Sequence, residues 1–277
     1  MSERGDCRQL ALVALGMVIC LVAWRAVRPP AASWEVVRLT GAPRVGSERI
    51  GAIGRLKVGQ WLETDRASRA RIELADIGQV KIEPNTRLRL VEARPNEHRL
   101  ALARGALHAR VLAPPRLFFV DTPSAEAVDL GCAYSLSVDP AGRGLLRVTW
   151  GRVAFVLHGR ESVVPAGARC ETRPGIGPGT PCFEDAPAAL RQALEQLDVG
   201  NGGDRVLQVV LAQARRRDSL TLWHLLLKVS PAEQSWVYDR LAALVPPPPG
   251  VTREGVLHRD PHMLDLWQAE VEMVWWE

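Results

Sequence analysis

Lysine and paired cysteine are scarce in this sequence, and each absence limits what the chain can do. Lysine occurs only as Lys57, Lys81 and Lys228, so nearly all the positive charge is arginine spread along the chain. Neither a basic helix nor a stripe of stacking aromatic residues is present, which argues against a nucleic-acid partner. No Cys-x-x-Cys pair occurs, which argues against zinc-ribbon and thioredoxin-like sites.

The overall composition is that of an ordinary globular protein. Of the 277 residues, 47% are hydrophobic and 24% are charged, and the formal net charge is only +4. This balance excludes a wholly disordered chain and a multi-pass membrane protein. At roughly 150 residues per domain, the length allows about two domains.

The longest hydrophobic run lies near the N-terminus and predicts a membrane anchor. Residues 10–24 carry no charge and stand between Arg8 and Arg25. A membrane-spanning helix needs about 20 residues, and the run approaches that length if Arg25 snorkels and the span extends to Val27. We therefore expect a short cytoplasmic tail over residues 1–9 and a single transmembrane anchor over residues 10–27.

Two other interpretations of this run stay open: a cleaved signal peptide and a buried soluble helix. The best small-residue cleavage site, Ala31-Ala32-Ser33, lies far behind the run. Arginines flank the run equally on both sides, so the charge rule does not set its orientation. Because nearly the whole chain follows the run, we expect a single-pass protein of the bacterial inner membrane with its bulk outside the cytoplasm.

The segment from residue 34 to residue 172 alternates between apolar and polar side chains. Strict alternation is typical of strands with one face in a core and the other in water. Short strands separated by Gly, Pro, Asn and Asp predict an all-β domain, which is a sandwich, a roll or a short solenoid. The apolar positions are Ala70, Ile72, Leu74, Val80, Ile82, Leu88, Leu90, Leu107, Ala109, Val111, Tyr134, Leu136, Val138, Leu146, Val148, Trp150, Val153, Phe155 and Leu157.

A Pro/Gly-rich stretch over residues 173–184 predicts a linker, and residues 185–277 then follow helical periodicity. Asp185 is placed to cap the first helix, and Ser230 with Glu233 forms a capping box before another. Asp260 precedes the last predicted helix. The predicted fold is therefore mainly β followed by α, with a C-terminal helical bundle.

Three cysteines lie in the body of the chain: Cys132, Cys170 and Cys182. Three thiols form at most one internal disulfide. Cys170 and Cys182 flank the Pro/Gly stretch and are the more plausible pair, but three isolated thiols remain an equally open interpretation.

The sequence offers no complete set of catalytic or metal-binding residues. His258 and His262 have the spacing of paired metal ligands, but Pro261 between them breaks the regular helical turn. Ser124 with His98 or His108 lacks the Gly-x-Ser-x-Gly elbow of a nucleophile. We therefore expect no enzyme activity, no metal and no cofactor.

Other notable side chains have ordinary structural interpretations. His224 lies in a leucine-rich helix and predicts a residue at the edge of the core. The arginines at positions 215–217 suit the solvated end of a helix. Trp267 and Trp275 are expected to pack in the bundle, whereas Trp276 is the better candidate for contact with a partner.

The β segment resembles the FecR family, from about residue 41 to residue 169. Each motif by itself is a strand or a turn, but their order is fairly specific. The residues that carry the resemblance are Gly59, Gln60, Trp61, Leu62, Glu63 and Thr64, then Ala70 with Ile72 and Leu74, then Leu102, Gly105 and Leu107, then Val120-Asp121-Thr122-Pro123, Gly131-Cys132-Ala133-Tyr134, Val148-Thr149-Trp150-Gly151 and Pro165-Ala166-Gly167.

The resemblance implies the extracytoplasmic domain of a membrane protein that regulates an extracytoplasmic-function sigma factor. It implies a protein partner in sigma-factor signalling and no catalytic residues. The alternative is a scaffold or binding module of the cell envelope that binds glycan or protein and has no transcriptional role.

We predict that the protein stays in the membrane fraction after a carbonate wash with its own Met1 intact, because the run over residues 10–27 anchors it. Mass spectrometry of the washed membranes identifies the N-terminus. Recovery of a soluble species that begins near Trp34 would show cleavage and contradict the anchor.

Overall fold

A computed structural model of the protein describes residues 33–74 and 76–275. The predicted tail and anchor, residues 1–27, lie outside the described residues, as does Trp276. Within the described ranges, no helix is both long enough and apolar enough to cross a membrane.

The first part of the chain is built of strands, as the alternation predicts. Almost all the predicted apolar positions between Ala70 and Phe155 are buried in a single core. The strands are β1 (Ser33–Thr40), β2 (Arg44–Val45), β3 (Glu48–Arg49), β4 (Ile53–Lys57), β5 (Trp61–Glu63), β6 (Arg69–Glu73), β7 (Gly78–Ile82), β8 (Arg87–Arg94), β9 (Glu97–Val111), β10 (Phe118–Asp121), β11 (Glu126–Val138), β12 (Gly144–Leu157), β13 (Arg160–Pro165), β14 (Ala168–Arg173), β15 (Gly177–Pro178) and β16 (Cys182–Phe183).

The strands form one branched sheet in which three long strands exchange partners halfway along. The main order is β15-β14-β12-β11-β10-β9-β7-β6-β1-β4, and β8 branches from β9. The first half of β9 pairs with β8 and β10, and its second half pairs with β7 and β11. In the described part of the chain, only the β9–β10 pairing is parallel. The arrangement is therefore a sandwich or roll and not a regular parallel solenoid.

Glycines in the left-handed region mark the points at which the long strands exchange partners. Gly105 in β9, Gly131 in β11 and Gly151 in β12 have φ of 92°, 85° and 72°. A Cβ on Gly151 would lie 2.1 Å from the carbonyl oxygen of Gly131. A side chain is therefore excluded where β11 and β12 bend together.

Trp150 does not face the core, so the prediction for this position is wrong. Its side chain is 57% exposed. Ala133 pairs with Trp150, but the next residue, Tyr134, pairs with Val148. Thr149 is thus an extra residue in β12, and this bulge turns Trp150 to the solvent face. The alternation of apolar and polar residues within one strand does not show where that strand forms a bulge against its neighbour.

The second part of the chain is helical, as predicted. The capping box is confirmed, since the backbone N–H of Ser230 donates to the Glu233 carboxylate at 3.0 Å. The helices are α1 (Ala188–Asp198), α2 (Asp204–Gln213), α3 (Ser219–Leu226), α4 (Pro231–Leu244), α5 (Arg253–Leu257) and α6 (Pro261–Trp275), with a 3-10 turn at Arg216–Asp218.

Asp185 does not cap the first helix, contrary to the prediction. Helix α1 is preceded by Pro187, which lies two residues further along the chain. The Asp185 carboxylate instead pairs with Arg215 at 3.3 Å and with Arg217 at 3.7 Å. Two guanidinium groups outcompete the weaker attraction of a helix N-terminus.

Residues 173–184 do not form the exposed linker that their composition predicts. Strand β15 pairs with β14, and so does β16. Residues 177–183 are all buried, and only the turn over residues 174–176 and the last residue, Glu184, are exposed. Here the small Gly residues and the Pro residues let the backbone pack closely against the helices. Composition alone does not distinguish such a buried segment from a flexible linker. The division into domains at 172 and 185 stays a prediction.

We predict that Gly151→Ala destabilises the protein by about 3 kcal/mol or more, because strain at positive φ adds to the contact with the Gly131 carbonyl. Gly59→Ala is the matched control, since Gly59 has φ of 88° and open space around it. The control should lose only about 1 kcal/mol, from backbone strain alone. Urea unfolding of the purified proteins measures both losses, and equal losses would show that the contact at Gly151 imposes no constraint.

Candidate functional site

The sheet and the helices meet through a buried histidine, His224 of α3. The Val163 N–H of β13 donates to His224 Nε2 at 3.1 Å, while Nδ1 lies 2.9 Å from the Leu220 carbonyl oxygen. Since Nε2 accepts, Nδ1 carries the proton and donates to Leu220, which is the neutral form of the ring. Burial lowers the pKa of His224 to about 4. The sequence places His224 at the edge of the core, and the structure confirms this.

The buried stretch over residues 177–183 is the second link between sheet and helices. Lys228 Nζ donates to the Gly179 carbonyl at 2.6 Å, and the Thr221 hydroxyl donates to the Pro181 carbonyl at 2.9 Å. The stretch is therefore hydrogen-bonded to helix α3 through its backbone. Any partner that displaces this helix must break those bonds.

The groove between α1 and strands β14–β16 is a structural junction, because its polar groups already have internal partners. The Asp198 carboxylate accepts from the Thr180 N–H and the Thr180 hydroxyl, both at 2.8 Å. Arg191 Nη1 donates at 2.8 Å to the carbonyls of Glu184 and Ala186. These groups stabilise the contact of α1 with the sheet and are not free for a ligand.

A charged cluster surrounds Arg99 where β9 and β10 pair in parallel. Its guanidinium donates to Glu97 at 3.0 Å, Asp121 at 2.6 Å and Glu126 at 2.8 Å, and it lies over the Phe119 ring at 4.5 Å. Burial raises the pKa of Asp121. One arginine thus ties three strands together.

The Val120-Asp121-Thr122-Pro123 motif is explained by the fold. The Asp121 carboxylate pairs with Arg99. The Thr122 hydroxyl donates to the Ala125 carbonyl at 2.7 Å and accepts from the Ala125 N–H at 3.0 Å, which closes the turn between β10 and β11. These are structural roles.

A buried carboxylate and thiol lie together where β11 bends. The Cys132 thiol donates to Asp129 Oδ2 at 2.7 Å, and the Gly131 N–H donates to Oδ1 at 2.6 Å. Burial raises the pKa of Asp129 to about 6 and raises that of Cys132 further above its ordinary value. A thiol held in its protonated form is a poor nucleophile, so Cys132 is a structural donor. Cys132, Cys170 and Cys182 are all buried free thiols.

The histidines and serine weighed as catalytic or metal-binding residues lie apart. The Ser124 hydroxyl donates to the Gly142 carbonyl at 2.9 Å, whereas His98 packs on Trp34 with 5.8 Å between ring centroids. His258 ends α5 and His262 begins α6. Across residues 33–74 and 76–275, no three or more metal-binding side chains cluster.

Arginines 215–217 do not end a helix, and two of them hold other parts of the chain. Arg215 donates to the buried Asp218 at 2.8 Å, in addition to its pair with Asp185. The Arg217 guanidinium stacks on the ring of Phe183 in β16, 4.1 Å from the centroid. Helix α2 ends at Gln213, and the Arg215 N–H then donates to the Asp218 carboxylate at 2.9 Å at the start of the 3-10 turn.

The two tryptophans predicted to pack in the bundle are buried. Trp267 Nε1 donates to the Val245 carbonyl at 3.0 Å. Trp275 lies against His224 with 6.3 Å between ring centroids. Trp276 lies outside the described residues, so its role as a partner contact stays a prediction.

The feature that sequence reasoning missed is the solvent face of the sheet. Register places one row of side chains directly across six strands, from β6 to β14. This row is rich in arginine and borders the exposed Trp150. Its residues are Arg71, Lys81, His108, Ser135, Arg147 and Arg169. The only signal in the sequence is that these residues occupy the polar positions of successive strands.

The architecture defines a β module with a helical bundle fixed to one edge. Residues 60–154 match the model of a family described as FecR protein. The chain thus carries a FecR segment, which confirms the predicted resemblance over those residues. No curated protein matches the chain significantly.

Two crystal structures of one similar protein, from Parabacteroides distasonis ATCC 8503, resemble this chain. Both are described as a "putative anti-sigma factor", one at 1.65 Å and one at 2.50 Å resolution. Each has 17% sequence identity and a TM-score of 0.40, and the match covers 49% of this chain and 64% of that chain. This chain therefore spans less than two thirds of the length of those proteins.

We predict that the buried His224 makes the protein less stable in acid. Its folded pKa of about 4 lies below the ordinary value of 6.5. The unfolded chain therefore takes up a proton first, so stability is complete above about pH 6.5 and falls as the pH drops toward 4. The shift corresponds to a loss of about 3 kcal/mol at most.

Urea unfolding of wild type and His224→Gln at pH 7 and pH 4.5 tests this. The variant should be less stable at pH 7 but should lose less free energy of unfolding on acidification. Asp129 acts in the opposite direction in both proteins, so the difference isolates His224. His262→Gln, at an exposed helix start, is the control. Identical pH dependence in wild type and His224→Gln would refute the role.

Proposed function

We propose that this protein is a non-enzymatic, membrane-anchored regulator that relays a signal across the bacterial inner membrane to an extracytoplasmic-function sigma factor. The observation that carries the proposal is the FecR match over residues 60–154. The apolar run over residues 10–27 supports the anchor, and the bulk of the chain is then extracytoplasmic.

The roles of the matched residues support recognition by a surface. Thr122 closes a turn, Gly151 permits a bend, and Leu136 and Val148 fill the core. None of these side chains presents a reactive group to solvent. A domain whose distinctive residues build its fold acts through the surface that the fold displays.

The junction of sheet and helices supports a relay inside the protein. His224 and the backbone of residues 179–181 bind helix α3 to the sheet. These contacts are the place at which a partner bound to one part would act on the other, by favouring a state in which they differ. The protein partner is a component of the sigma-factor pathway.

The test is a set of reporters, each driven by a promoter of one extracytoplasmic-function sigma factor of the source bacterium. We expect loss of the protein to change reporter output several-fold at constant sigma-factor level. Leu136→Asp should reproduce the loss, because it buries an unpaired charge at a site with no exposure. His262→Gln should behave as wild type.

Unchanged reporter output in the deletion strain would contradict the regulator. If the purified protein then binds isolated cell-wall material, the envelope scaffold is the correct function.

A further inference from the structure

A trough of small side chains runs along β11 on the solvent face of the sheet. Ala133, Ser135 and Ser137 form its floor. Ala133 pairs with Arg110 of β9 on one side and with Trp150 of β12 on the other. Neighbouring strands lie about 4.8 Å apart, so Arg110 and Trp150 face each other across about 10 Å. We refer to this feature as the Trp150 trough.

The next row of the sheet extends the same arrangement. Ser135 pairs with His108 on β9 and with Arg147 on β12. Four long side chains therefore stand at the corners of a rectangle whose middle holds only Ala133 and Ser135. The trough is wide enough to receive a side chain from another molecule.

Trp150 is held at this rim by the backbone. The extra residue Thr149 donates its hydroxyl to the Ala133 carbonyl at 3.0 Å, which fixes the bulge. Within residues 33–74 and 76–275, the Trp150 ring stacks on no other ring and no cation. The Trp150 side chain is 57% exposed, and tryptophan is one of the residues enriched at protein-binding hot spots.

Among the side chains that the structure describes, the trough has one positive charge without an ion-pair partner, that of Arg110. Arg110 forms no ion pair with any described residue, whereas Arg147 pairs with Glu184 at 2.8 Å. His108 Nε2 lies 3.6 Å from the Glu83 carboxylate, and Nζ of Lys81, which pairs with His108 across the sheet, lies 3.5 Å from it. The unpaired guanidinium of Arg110 therefore favours a partner that carries carboxylates.

We propose that the Trp150 trough binds an acidic protein segment, which packs an apolar side chain against Trp150 and places a carboxylate at Arg110. This proposal deepens the proposed function, on which it rests, because it assigns the surface and the charge of the protein partner. Trp and Arg around a small-residue floor with a polar rim is the arrangement of a protein-binding hot spot. That arrangement favours a protein segment over an anionic polysaccharide.

The test measures fluorescence polarisation of labelled peptides with the full-length protein in detergent. The probe is a short Glu-rich peptide with one central Phe. A Lys-rich peptide and a Glu-rich peptide without Phe are the control peptides. We expect only the first to bind well. Trp150→Ala should weaken its binding about tenfold or more, and Arg110→Glu should transfer the preference to the Lys-rich peptide.

The controls are matched substitutions on the helical bundle. Trp236→Ala removes a tryptophan that is 36% exposed on α4, and Arg205→Glu reverses an exposed arginine on α2. Both should bind the Glu/Phe peptide as wild type does. Circular dichroism confirms that each variant is folded, and Trp150→Phe should retain most of the binding if the ring itself matters.

Three results would overturn the proposal. The first is no binding of the Glu/Phe peptide, and the second is equal weakening by the bundle controls. The third is equal binding of both Glu-rich peptides with full competition by heparin, which would make the trough a site for anionic polysaccharide.

The two proposals fail separately. If the Glu/Phe peptide binds but deletion of the gene leaves reporter output unchanged, only the sigma-factor function is contradicted. If gene deletion changes reporter output but Trp150→Ala changes neither reporter output nor peptide binding, only the proposal for the Trp150 trough is contradicted.

Discussion

The structure depends on the close approach of β11 and β12 at two glycines. Gly131 and Gly151 adopt left-handed φ, and a Cβ on Gly151 would lie only 2.1 Å from the Gly131 carbonyl oxygen. The bend lets each long strand pair with one set of neighbours before the glycine and another set after it. One continuous core results, because the two halves of the sheet share the same strands. The bulge at Thr149, which exposes Trp150, lies two residues before Gly151.

The helical bundle completes the sheet. Strands β15 and β16 are two residues each and could not remain paired in water without cover. Asp198 of α1, Thr221 of α3 and Lys228 just after α3 hydrogen-bond to the backbone of residues 179–181, which joins the two strands. Arg217 of the 3-10 turn stacks on Phe183. The contact of β13 with α3 requires the neutral form of His224, since a charged ring could not accept the Val163 N–H. The contacts that hold the sheet and the helices together are therefore the same contacts to which we assign the proposed relay.

The FecR resemblance was visible in sequence because its motifs are turns and core positions, which depend on local chemistry. Thr122 and Pro123 favour a turn through their own local chemistry, whatever strands lie on either side of them. The solvent-exposed face of the sheet could not be predicted in this way. Its side chains come from six strands, and their neighbours across the sheet are set by register. No local pattern predicts that Arg110, Ala133 and Trp150 form one row.

Sequence alone determined the strands from Ala70 to Val138, the capping box at Ser230 and the change from β to α, because these follow from side-chain alternation and local hydrogen bonds. Tertiary structure decided the burial of residues 177–183, the pairing of Asp185 with Arg215 and the outward turn of Trp150. Each of these depends on residues far away in the chain. A buried backbone needs donors from another element, and a bulge exists only relative to the strand beside it.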